Sequence, residues 1–218
     1  MHYLYLILII TFSINSFAEN SQRGKTLFLG KCAICHGENG EGLKAEGPSL
    51  NNPDFLSIAS DDYLATVIKN GRSHTQMHFG PRSEKQIIPN TGLLVSYIRS
   101  WEKKFKNYKK IKTDAGLVVT GDKNKGHNLY SRHCANCHAS DASGYADGFN
   151  GKNIGLAIGF KDFLKQSPDD FIKKSIEMGR RGPPGLNMPA FTNKFDASKP
   201  NILKDQDIND IIVYLRSL

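Results

Sequence analysis

The sequence predicts an all-α protein built as two copies of one small helical domain in tandem. Three observations predict it. The chain aligns with itself in three blocks that recur in the same order, the mark of a duplicated unit. Apolar residues return at helical spacing within those blocks, and no alternating strand pattern of useful length interrupts them. Each copy also carries the same CxxCH motif at the end of its first helical stretch, Cys32-Cys35-His36 and Cys134-Cys137-His138. A length of 218 residues suits two domains of roughly 100 each.

Taken in order, residues 1–18 read as an export signal. Tyr3 to Ile10 are almost unbroken apolar, and Ser16 and Ala18 stand where small residues precede a cleavage site. The run is short for a bilayer span, so the expectation is a cleaved signal and a periplasmic protein. The alternative is an uncleaved anchor that holds the chain on the membrane, facing the periplasm. Residues 19–112 form the first domain. Gly24 to Lys31 make its first helix, and Ser60-Asp61-Asp62 starts another, with a cap residue and acids in the first turn. That helix stops at Gly71. Leu94, Tyr97, Ile98 and Trp101 mark the last helix. Six lysines between Lys103 and Lys112 then read as a solvated helix end, or as a docking patch for an acidic partner. Residues 113–120 are the linker. Residues 121–218 repeat the plan: Gly126 to His133, a start at Ser167-Pro168-Asp169, a stop at Gly179, and a last helix through Ile208, Ile211, Ile212 and Leu215.

The four cysteines explain why the two copies exist. Export favours disulfides, but a two-residue gap makes a poor disulfide loop. CxxCH is instead the attachment signature of haem c. Two thiols on one helical turn reach the two vinyl groups of one porphyrin, and the adjacent His36 or His138 turns its imidazole to the iron. The cofactors expected are two haem c groups, covalently held by Cys32 and Cys35 and by Cys134 and Cys137. A Cys₄ zinc site is the rival reading; it needs neither histidine nor two separately repeated domains. A thioredoxin-like pair lacks its βαβ surroundings.

The sixth iron ligand must come from later in each half. Met188 lies in LNMPAF, on a loop rich in proline and glycine beyond Gly179-Arg180. Met77 stands at nearly the same distance beyond Gly71-Arg72, flanked by His74 and His78, either of which is an alternative ligand. Only four methionines occur in the chain, the initiator included, so two at matched positions are unlike ordinary core filler. A proximal histidine also needs its other ring N–H held by an acceptor. The carbonyl of Pro48 is the candidate in the first half and that of Leu156 in the second. Arg72 and Arg180 are candidates to pair with haem propionates; the alternative is a solvated helix end.

With CxxCH near the start, a GPxL segment, a GR…M loop and a final aromatic-bearing helix, each half resembles a class I cytochrome c domain. Two such domains behind an export signal resemble the dihaem cytochrome c4 family of the bacterial periplasm. Two positions depart from the pattern: His78 stands where the family has proline, and the second copy lacks the proline of GPxL. The resemblance implies a mostly helical fold whose first and last helices cross through Gly24 and Phe28, and through Gly126 and Tyr130. It also implies electron transfer from a quinol-oxidising complex towards a terminal oxidase or reductase. A carrier with two six-coordinate irons has no open site for substrate, so the protein is expected not to be an enzyme. The other readings are a haem-bearing subunit of a membrane-bound oxidoreductase, or a small dihaem redox enzyme with a labile ligand at the first haem. Thiosulfate-oxidising dihaem proteins share the layout but ligate with a cysteine, and attachment uses all four here. The net charge of +8 favours redox partners with acidic docking surfaces, including membrane-associated complexes. No basic-aromatic groove pattern accompanies it, which points away from nucleic acid.

Overall fold

The computed structural model describes residues 19–44, 46–72, 75, 77, 90–144, 155–183 and 186–218. The export signal, His74 and His78 lie outside the described residues. The architecture is helical, as predicted, in two units of matching order. The first holds α1 (residues 19–31), α2 (Ala33–His36), α3 (Pro53–Ile58), α4 (Asp61–Asn70) and α5 (Thr91–Ser100), continued by a 3₁₀ turn at Trp101–Lys104. The second holds α6 (Lys123–His133), α7 (Ala135–His138), α8 (Lys161–Gln166), α9 (Asp169–Met178) and α10 (Asp205–Arg216). A two-residue ribbon, β1 (Arg180–Arg181) with β2 (Asn187–Met188), is the one sheet among the described residues.

Local chemistry sets the helix starts. Asn52 accepts from the N–H groups of Asp54 and Phe55, with Pro53 at the first helical position of α3. Ser60 Oγ accepts the Tyr63 N–H at the head of α4, and Asp122 accepts from Asn124 and Lys125 at the head of α6. The helices α4 and α9 end at Gly71 and Gly179.

In each unit the first and last helices cross at a glycine. A Cβ on Gly24 would stand 2.1 Å from the Leu93 carbonyl oxygen, and one on Gly126 would stand 1.9 Å from that of Asp210. Only glycine permits that approach. One turn further on, Phe28 is fully buried against Tyr97 and Trp101, at 5.5 and 5.3 Å between ring centroids. Tyr130 is likewise buried, 5.3 Å from Tyr214. These aromatic clusters lie directly before the CxxCH turns.

The segment between the units is pinned along its length. The Ile111 N–H donates to Ser57, Asp114 and Val119 N–H groups donate to Asp170 and Asp169, and Gln206 donates to the Thr120 carbonyl. All six lysines from Lys103 to Lys112 are exposed. The two units meet through α3 and α4 on one side and α8, α9 and β1 on the other. Tyr63 and Phe171 stack there at 4.2 Å, and Arg181 binds Asp54 through two N–H donors at 2.9 Å each.

Candidate haem sites

Each CxxCH folds as one tight turn. The His36 N–H donates to the Cys32 carbonyl at 2.9 Å, and the His138 N–H donates to that of Cys134 at the same distance. This places two thiols and an imidazole on a single helical turn. All four cysteines are free of disulfides. Burial pushes the Cys32 thiol up to about 11 and the Cys134 thiol up to about 12, with the second thiol of each pair adding to the rise. Among the described residues no group of three or more His, Cys, Asp or Glu side chains gathers where it could hold a metal ion, so the cysteine pairs do not converge on one tetrahedral site.

The imidazoles are oriented alike in the two halves. His36 Nδ1 lies 2.8 Å from the Pro48 carbonyl oxygen, and His138 Nδ1 lies 2.8 Å from that of Leu156. A carbonyl accepts only from an N–H, so Nδ1 carries the proton and Nε2 keeps its lone pair for a metal. Burial holds both imidazoles below the ordinary histidine range, against the opposing effect of the carbonyl. The neutral form is the ligand form. The loop that brings each carbonyl is packed on the CxxCH turn at a glycine. A Cβ on Gly47 would stand 2.7 Å from the Cys35 carbonyl oxygen, and one on Gly155 would stand 2.2 Å from that of Cys137. Those two glycines are positioning residues that spacing alone did not single out, although each directly precedes the residue whose carbonyl accepts from the imidazole.

Both methionines are partly buried against the core, and each is tied to the arginine that follows the helix-ending glycine. The Arg72 N–H donates to the Met77 carbonyl at 2.6 Å, and Arg180 pairs with Met188 across the β1–β2 ribbon. The ribbon went unseen in the sequence because two residues are too short to show alternation; its turn closes through the Leu186 N–H to the Pro183 carbonyl. Arg72 and Arg180 are not solvated helix ends. Among the described residues, Arg72 Nη1 and Arg180 Nε are out of contact with solvent and have no hydrogen-bond partner. Burial lowers the Arg180 guanidinium to about 10, with nearby Arg72 acting in the same direction. Buried cationic donors with no acceptor fit a group that brings its own anions, as haem brings propionates. Thiols, imidazoles and orphaned donors together fit one haem c in each half.

Comparison with known proteins finds one family model in each half. A family model described as cytochrome c matches residues 124–218, and one described as cytochrome C oxidase, cbb3-type, subunit III, matches residues 19–87. The chain is 26% identical over 203 residues to the Cbb3-type cytochrome c oxidase subunit FixP of Bradyrhizobium diazoefficiens, covering 90% of this chain and 60% of that one. It is 26% identical over 167 residues to the subunit of the same name from Azorhizobium caulinodans, covering 73% and 50%. The chain therefore spans about half to three fifths of the length of these relatives. A solved chain of the Kuenenia stuttgartiensis reducing HAO-like protein complex Kustc0457/Kustc0458 superposes with a TM-score of 0.49 at 20% identity, over 89% of this chain and 94% of that one.

Proposed function

Because this chain is a dihaem class I c-type cytochrome, we propose that it carries single electrons in the periplasm, from a quinol-oxidising complex to a terminal oxidase or reductase. The observation that carries the proposal is the matched construction of the two halves. Each half supplies a proximal imidazole with its Nδ1 proton held by a carbonyl at 2.8 Å. Each half also supplies a methionine fixed by backbone bonding to the Gly-Arg pair. Haem bound here would be held by His36 and Met77 in the first half and by His138 and Met188 in the second, which would leave neither iron open to a substrate.

Haem c, when bound, supplies a one-electron iron couple, and a His/Met ligand pair places its potential high relative to more basic ligand sets. The chain's own residues do the rest. Cys32, Cys35, Cys134 and Cys137 fix the porphyrins covalently. Pro48 and Leu156 keep the imidazole tautomers fixed, so no proton need move when an electron does. Phe28, Trp101 and Tyr130, each almost wholly buried, keep water from the inner side of the CxxCH turns. The exposed lysines from Lys103 to Lys112 offer acidic redox partners a cationic surface.

The oxidised optical spectrum tests the ligand set. Met77→Ala is expected to remove about half of the methionine-to-iron charge-transfer band, and Met188→Ala the other half. A band left whole in Met77→Ala would assign the first iron to another ligand.

One observation favours a second reading. Both FixP relatives and the family model matching residues 19–87 are named as cbb3-type oxidase subunits. On that reading the chain stays with a membrane oxidase and delivers electrons within it, anchored by residues 1–18. Among the described residues no helix is long and apolar enough to cross a membrane. Purification of the native protein from washed membranes in mild detergent separates the two: an oxidase that co-purifies supports the subunit, and recovery in the periplasmic fraction supports the shuttle.

A further inference from the structure

The contact between the halves is reciprocal down to single side chains. Phe55, Tyr63 and Arg72 align without a gap on Phe163, Phe171 and Arg180. The Arg72 guanidinium lies over the ring of Phe163, in the second half, at 4.7 Å. The Arg180 guanidinium lies over the ring of Phe55, in the first half, at 5.1 Å, and over Phe171 of its own half at 4.7 Å. Tyr63 and Phe171, which occupy aligned positions, stack on each other between the two arginines. Each arginine spends one donor on its own half: Arg72 Nη2 donates to Tyr63 Oη at 2.8 Å, and Arg180 Nη2 donates to Ser175 Oγ at 2.6 Å. Of the other donors, Arg72 Nη1 and Arg180 Nε are buried and have no acceptor among the described residues.

A guanidinium stays charged throughout the physiological range, and a buried charged donor left unpaired is costly. Each arginine is also bonded through its backbone to the methionine of its own half, the residue proposed above to ligate that half's haem. The face of the same guanidinium rests on an aromatic ring that belongs to the other half. Cation–π contact of this kind restrains where the charge sits.

We propose that Arg72 and Arg180 each hold a propionate of their own half's haem, while Phe163 and Phe55 of the opposite half fix the guanidinium that does so. The potential of each haem is then set in part by a side chain of the other domain. The inference rests on the dihaem reading and concerns how the two sites are wired together. Phe163 and Phe55 are positioning residues; they act through the arginines. A fixed cation beside the haem favours the reduced, less positive state, so loosening it lowers the potential.

The test is a redox titration of the holoprotein in which the two haems are told apart by their haem-methyl NMR signals, assigned through contacts to residues of each half. Phe163→Leu keeps an apolar side chain and removes the π face. It is expected to shift the reduction equilibrium of the first haem by about threefold towards the oxidised form, on the order of 30 mV at 59 mV per tenfold, and to leave the second haem in place. Phe55→Leu is expected to do the reverse, and Phe163→Tyr to restore the wild-type value. Either leucine variant alone carries the test if the other does not fold. A shift confined to the haem of the substituted half, a shift shared equally by both, or no shift would overturn the proposal. Two sets of haem signals in the wild type separate that outcome from failure of the dihaem reading, under which they would be missing.

Discussion

A carboxylate at a helix crossing shows how one residue makes the halves unequal. Asp210 is almost wholly buried where α10 passes Gly126. Burial alone would raise its carboxyl, but the Asp122 N–H, Gln206 and Lys125 more than offset that and hold it below the usual carboxylate range. The three donors stand at 2.8, 2.9 and 3.0 Å. In the first half the carbonyl facing the crossing glycine belongs to Leu93, which has no charge to protonate. A depressed folded-state value means the contribution is full above the ordinary aspartate value of about 3.9 and is lost as the pH falls through the lower folded value. Acid should therefore loosen the α6–α10 pair of the second half before the α1–α5 pair of the first. Asp210→Asn should cost about 1.5–3 kcal/mol at neutral pH, the worth of a buried charged hydrogen-bond set, and flatten that acid dependence. Denaturant titrations at several pH values, with the NMR signals of each half followed separately, check both statements. Loss of the two halves together in the wild type would count against the asymmetry.

Elements were the most legible level in the sequence, and the reasons are local. Ser60 caps α4 and Gly71 ends it, and Gly179 ends α9; each signal is carried by a residue whose own backbone chemistry sets the boundary. The crossings at Gly24 and Gly126 were expected only through resemblance to a known fold, and at each of them a Cβ would stand about 2 Å from a carbonyl oxygen of the last helix. The β1–β2 ribbon escaped because its partners lie either side of a turn and neither strand exceeds two residues. For the same reason the pairing of Arg180 with Met188 was invisible, although proximity to the Gly-Arg pair was the clue that singled out both methionines. Within the sites, the acceptors for the imidazole N–H groups were readable from the GPSL and GLAI segments, because a carbonyl at that place needs only a loop that returns to the CxxCH turn. The contacts of Arg72 and Arg180 were not, since their partners Phe163 and Phe55 sit in the other copy.

At the scale of the whole molecule, duplication has yielded a pair of domains that share one aromatic and cationic seam. Phe55, Leu56, Tyr63, Phe171 and Ile172 belong to one continuous buried cluster that also contains the helix-crossing residues of both halves. The linking segment is held to both units by backbone and carboxylate hydrogen bonds, so the two haem sites sit in one folded body rather than on a loose tether. That arrangement suits the proposed role, in which electrons are accepted and released one at a time. The claim is tested most directly by potentiometric titration of the purified chain, followed through haem absorbance under carbon monoxide. The account predicts two electrons taken up per chain, each in a one-electron step, with reduced spectra unchanged by the gas. Uptake of a single electron per chain, or a spectrum altered by carbon monoxide at either haem, would contradict it.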